Sequence, residues 1–206
     1  MKSSDREVIF DYIFSIAETV KREGAALIEI LDYPEDSEEV SRKVTALETE
    51  ADSVFHDIAL FYQNGNLARD PEAITLLDVA RSVEGCSDAI DQLAMDFYRY
   101  NVTEITDEIY SLLMNIMRAS NKLIELMFSI KKMDKLDPPI KYVMELDAFK
   151  VEAEKIYNEN MRNLFTLEKD AIEVVRWKSI YESFRTTFAS YENVADLSAK
   201  MVFFAN

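Results

Sequence analysis

Glycine occurs three times in 206 residues, proline four times, and cysteine, histidine and tryptophan once each. The three glycines are isolated, so no glycine-rich loop exists to cradle a phosphate chain. The lone cysteine, Cys86, excludes an intramolecular disulfide framework and mildly favours a reducing compartment. The lone histidine, His56, would have to serve any hydrolytic triad, and no nucleophile and orienting acid are arranged around it in the sequence. Basic residues are outnumbered, 23 Lys and Arg against 39 Asp and Glu, which gives a formal net charge of −16 and a pI near 4.5. No basic stripe is left to displace phosphate counterions, so nucleic acid is not an expected partner. Cations, basic partner surfaces or plain solubility are the uses that suit such a charge. Long apolar runs are missing as well: none approaches the roughly 20 residues that span a bilayer. Asp5 and Glu7 stand where a signal peptide would carry its apolar region, so a cytoplasmic protein is expected.

What is abundant points to helices. Apolar residues make up 49% of the chain and charged residues 30%, and few breakers interrupt them. No alternating polar–apolar run bounded by turn signals suggests a strand. Prolines and small polar clusters divide the chain into six helical segments. Ser4-x-x-Glu7 opens the first, which runs to about Leu31. Asp36-x-x-Glu39 opens the second, ending near Gly65. Asp70-Pro71 opens the third, to about Asn101, with proline at the first helical position. Thr103 to Thr106 opens a fourth, ending near Lys135. Asp137-Pro138-Pro139 opens the fifth, and Asp170-x-x-Glu173 the sixth. The fold class expected is all-α.

An internal repeat organises these segments. LETEADSVF at 47–55 aligns with FKVEAEKIY at 149–157, and the third segment aligns with the sixth at about the same offset. The chain therefore reads as two antiparallel three-helix units, residues 1–102 and 103–206, forming one elongated helical domain.

The repeat carries carboxylates. Glu48 and Asp52 are four apart on the second helix, about 40° around the axis from each other. Glu84, Asp88 and Asp91 share a face of the third. Val44, Phe55, Ala59 and Tyr62 run along the first of these faces, and Leu77, Ala80, Met95 and Tyr98 along the second. Carboxylates within an apolar stripe must be paired, protonated or metal-bound. The candidate metal ligands are thus Glu48, Asp52, Glu84, Asp88 and Asp91. Oxygen-only ligands suit Mg, Ca, Mn or Fe. The competing reading has the same acids at a wet interface between helices. His56, one turn beyond Asp52, is either a nitrogen ligand or an ordinary helix residue. No organic cofactor is expected, and no catalytic residue stands out; a di-iron oxidase would need Glu-x-x-His on two helices.

In the second unit the pattern is broken. Lys150, Glu154, Arg185, Ala189 and Glu192 occupy the positions of Glu48, Asp52, Glu84, Asp88 and Asp91. The two basic side chains are expected to neutralise Glu154 and Glu192 in place of a metal. Cys86, Trp177, Phe97, Tyr98, Tyr100, Phe184, Phe188, Tyr191 and the methionines between 113 and 144 read as packing residues of the bundle.

LETEADSVFHDI at 47–58, the Asp70-Pro71-Glu72 helix start, VEGCSDAID at 83–91, RWKSIYESF at 176–184 and YENVAD at 191–196 together resemble the PhoU-like accessory proteins of Pit-type inorganic phosphate transporters. The resemblance covers nearly the whole chain. It implies two three-helix bundles related by a pseudo-repeat, each with an E(D)-x-x-x-D motif, which in some members holds iron or zinc clusters. It implies Glu48, Asp52, Glu84, Asp88 and Asp91 as ligands here, and Fe or Zn as the metal; with Mn, which the oxygen ligands suit, the expected cation is Fe, Zn or Mn, with Mg and Ca also open. It also implies a non-enzymatic role in regulating or assisting phosphate uptake, through contact with a Pit-type transporter at the membrane face. The association would be peripheral and made through that protein partner. Two other readings stay open: a helical interaction module without metal, and a carboxylate-bridged metalloenzyme. Homo-oligomers are compatible with all three.

Overall fold

Asp70 shows how local chemistry sets the helix boundaries. Its carboxylate accepts the backbone N–H groups of Glu72 and Ala73 at 3.0 and 3.1 Å, satisfying two of the donors left free at the start of a helix, while Pro71 has no N–H to satisfy. A computed structural model describes residues 1–132 and 138–204. Helix α1 spans Ser3–Leu27, α2 Ser37–Gly65, α3 Pro71–Arg99, α4 Asp107–Lys132, α5 Pro139–Leu167 and α6 Ala171–Phe204. Short 3-10 turns cover Ile28–Leu31, Pro34–Asp36 and Leu67–Arg69. The protein is all-α, with six helices and no strand among the described residues. No helix of the described residues is long and apolar enough to cross a membrane.

The six expected segments are present, with small differences at their ends. The first helix tightens into a 3-10 turn at Ile28, so its last expected turn is not α-helical. Neither Ser4 nor Asp36 caps through its side chain; Lys2 and Asp36 are the cap residues and make no side-chain cap bond. Asn66 ends α2 in the left-handed conformation, φ 53°, its N–H turned back to the last carbonyls of the helix. Asp170 performs the capping expected of it, accepting from Ile172 N–H at 2.8 Å. The expected end of the fourth segment at Lys135 and the start of the fifth at Asp137 lie outside the described residues.

Helices α1, α2 and α3 pack against one another, as do α4, α5 and α6; α3 on α6 and α1 on α4 join the two groups. One continuous apolar core runs through both. The Phe97 and Phe184 rings meet edge to face across the α3–α6 seam, with centroids 6.0 Å apart. Burial of Phe97, Phe184, Phe188, Tyr191, Met127 and Cys86 agrees with the packing role read for them, and Trp177 and Tyr100 are half-buried against the core. Tyr98 and Met144 differ: they are 42% and 66% exposed, on helix faces that no neighbouring helix covers. Met133 lies outside the described residues.

Gly24 marks the tightest crossing. A Cβ there would stand 2.7 Å from Ser120 Oγ, so the missing side chain is what lets α4 lie against α1.

Candidate functional site

Helix α2 carries Glu48 and Asp52, and α3 carries Glu84, Asp88 and Asp91, on adjoining sides of the α2–α3 seam. The Thr45 hydroxyl on α2 donates to Asp91 on α3 at 2.5 Å, tying the two acidic faces together. The apolar stripe expected around these acids is only partly there. Val44, Tyr62 and Ala80 are buried, and Phe55, Leu77 and Met95 are half-buried, but Ala59 and Tyr98 are exposed. Asp52 and Asp88 are exposed, and Glu48, Glu84 and Asp91 half-buried. The acids therefore line the wet edge of the apolar face. Helical spacing alone places residues on one side but does not say how far the neighbouring helix extends over it.

Crowding nonetheless acts on them. Partial burial, with the nearby Asp88, Asp52 and Glu48 charges, pushes the Glu84 carboxyl up to about 7. Glu48 and Asp88 are raised as well, by burial first and then by the neighbouring carboxylates. Arg81 offsets a small part of this at Glu84. None of the five acids forms an ion pair with a described residue.

A sixth acid, outside the set that the sequence pattern picks out, stands behind them. Glu23 on α1 is fully buried, and its carboxylate accepts a hydrogen bond from the Ser87 hydroxyl on α3. Its other oxygen, Oε2, has no partner. Burial, reinforced by the Asp91, Glu48 and Asp88 charges, pushes its carboxyl up to about 8. The signal for Glu23 was in the sequence. Ile9, Ile13, Ile16, Val20, Glu23, Leu27 and Ile30 follow alternating steps of four and three, the spacing of a buried helix seam, and Glu23 is the one charged member.

Beside Asp88 and Asp91 a groove of about 430 Å³ opens between α3 and α6, walled on the α6 side by Thr186 and Ser190. Gly85 borders it, and a Cβ there would meet nothing within 4 Å. The donor set fits a hard, oxygen-seeking cation: only carboxylates, mutually repelling, with water access and one buried oxygen lacking a partner. The arrangement is not preformed. Among the described residues no three acidic, His or Cys side chains converge as a ready metal cage. Rotation of the exposed Asp52 and Asp88 would have to complete one. His56 is exposed on α2. Cys86 is buried, its thiol directed at the Ser82 carbonyl at 3.6 Å and pushed up to about 12 by burial, which suits packing and not ligation.

In the second half, one cation bridges the two acids that the sequence alignment sets against Asp52 and Asp91. Lys150 Nζ lies 3.1 Å from Glu154 and 3.0 Å from Glu192. Arg185, expected to join it, instead lays its guanidinium over the Tyr157 ring, 4.9 Å from the centroid. Residues 1–102 hold 22 acidic and nine basic residues, whereas 103–206 hold 17 and 14. Thirteen of the sixteen excess negative charges therefore belong to the first half.

No protein-family model matches the chain, and no curated protein matches it.

Proposed function

We propose that this protein is a non-enzymatic, PhoU-like accessory or regulatory protein of inorganic phosphate transport that binds a metal cation through Glu48, Asp52, Glu84, Asp88 and Asp91. The observation that carries the reading is the contrast between the two halves. The carboxylates on α2 and α3 crowd together with no ion-pair partner among the described residues, whereas Lys150 clamps Glu154 and Glu192, which the sequence alignment sets against Asp52 and Asp91. A multivalent cation, Fe or Zn by resemblance and Mn, Mg or Ca by ligand type, relieves the repulsion that Lys150 relieves in the other half. The residues of this chain supply the oxygens, and the groove beside Asp88 admits water and the ion. The strongly acidic first half suits the Lys/Arg-rich cytoplasmic loops of a Pit-type transporter, a charge pairing that favours encounter and correct orientation.

Co-purification with a Pit-type transporter expressed in the same cells tests the partner. Retention that falls as salt rises, together with altered phosphate uptake when the protein is removed, is the expected result. Unchanged uptake and no retention at low salt would contradict it.

One observation favours a second reading, a helical interaction module without metal: among the described residues no three carboxylates converge. In that case alanine at Glu48 or Asp88 would leave partner binding unaltered and shift stability by only a few tenths of a kcal/mol.

A further inference from the structure

We propose that Glu23 is the buried ligand of the first-half cation site, so that the site is built from three helices and not from the α2–α3 pair alone. This inference rests on the cation-binding reading above and adds to it a residue from α1.

Glu23 occupies a seam position whose other members are Ile, Val and Leu, all fully buried. An apolar residue would satisfy packing there, and a carboxylate in such a place is costly unless something binds it. Ser87 satisfies one oxygen only; Oε2 is left without a partner and without contact with water. The Glu23 carboxylate meets α3 through Ser87, on the side of that helix that carries the acids. Ser87 lies three residues after Glu84, one before Asp88 and four before Asp91, all on one side of α3, and the charges of Glu48, Asp88 and Asp91 all act on Glu23. No cation from any described helix pairs with it. The groups whose electrostatic influence reaches it are Glu48 from α2, Asp88, Asp91 and Cys86 from α3, and Tyr191 from α6. Glu48, Asp88 and Asp91, each half-buried or exposed, thus act on a position that holds a buried oxygen without a partner. Gly24, by letting α4 close onto the next turn, holds α1 and with it Glu23 in place.

Mn(II) alone is the probe. Wild type, Glu23→Gln, Ser87→Ala and the exposed α1 control Glu18→Gln are titrated with Mn(II), following affinity by calorimetry and the number of waters on the bound ion by water-proton relaxation. Circular dichroism and a thermal melt in chelator establish that each variant is folded. Glu23→Gln is expected to weaken Mn(II) binding at least tenfold and to add a water to the bound ion, Ser87→Ala to weaken it several-fold, and Glu18→Gln to change it less than twofold. Wild-type binding with unaltered affinity in both Glu23→Gln and Ser87→Ala would overturn the role of Glu23 and leave the outer site standing. Weaker binding with unchanged hydration would overturn direct ligation. No binding of Mn(II) to the wild type at millimolar concentration would overturn both readings.

Discussion

Lys150 reaches Glu192 at 3.0 Å across the α5–α6 seam, at the positions that the alignment of the two halves of the sequence sets against Glu48 and Asp91. A single basic side chain there bridges two carboxylates, whereas none of the five first-half acids forms an ion pair with a described residue. Replacing Lys150 by Ala removes two half-buried ion pairs and leaves Glu154 and Glu192 facing each other. A small loss of stability is expected in urea unfolding, shrinking as salt is added. An unchanged midpoint at low salt would show that the clamp contributes nothing.

Glu23 sets a pH dependence with a definite sign. Its carboxyl titrates near 8 in the folded chain and near 4.5 when unfolded, so between these values the folded state holds a proton that the unfolded state has released. Stability therefore falls as pH rises through this window. Glu23→Gln, neutral at every pH, removes the share of the fall that Glu23 contributes, leaving that of Glu84, Glu48 and Asp88. In chelator, wild type and variant are expected to be similar near pH 5, and the variant more stable by roughly 1–3 kcal/mol at pH 8.5. Equal stability at pH 8.5 would mean that the carboxyl is charged in the fold at no cost.

Gly24→Ala tests the α1–α4 crossing. The new Cβ would collide with Ser120 Oγ, which is held by Tyr191 OH at 2.6 Å and by the Ile116 carbonyl at 2.9 Å. Overpacking of this kind costs about 1–3 kcal/mol, offset in part by about 1 kcal/mol of improved helix propensity. A net loss of about 1 kcal/mol or more by chemical denaturation is expected; a gain would show that α4 yields easily.

Asp70→Ala removes the acceptor of two backbone N–H groups at the start of α3. About 1 kcal/mol of stability should be lost. Asp70→Asn or Asp70→Ser should restore much of it, since either keeps a capping oxygen.

The helices were legible in the sequence because their punctuation is chemical and local: Asp70-Pro71 and Asp170 cap where their spacing says they should. Coverage of helix faces was not. Tyr98 and Met144 have core spacing yet are exposed, because periodicity gives a direction and not the width of the neighbour that covers it. The same gap put Asp52 and Asp88 in an apolar stripe when they sit on its wet edge. Glu23 was readable as the one charge in a four–three apolar seam, but it lacks a partner acid four residues away, the pattern that drew attention to α2 and α3. For Arg185, sequence alignment supplied a position facing the second acidic set, while its long side chain finds the Tyr157 ring.

Metal content of the protein, purified without a histidine tag or chelator and measured by elemental mass spectrometry, tests the central claim most directly. One equivalent or more of iron, manganese or zinc, lost in the Glu48→Ala/Asp88→Ala double variant while its helical content is retained, is the expected result. Absence of stoichiometric metal, after reconstitution with each of these ions in turn, would contradict it.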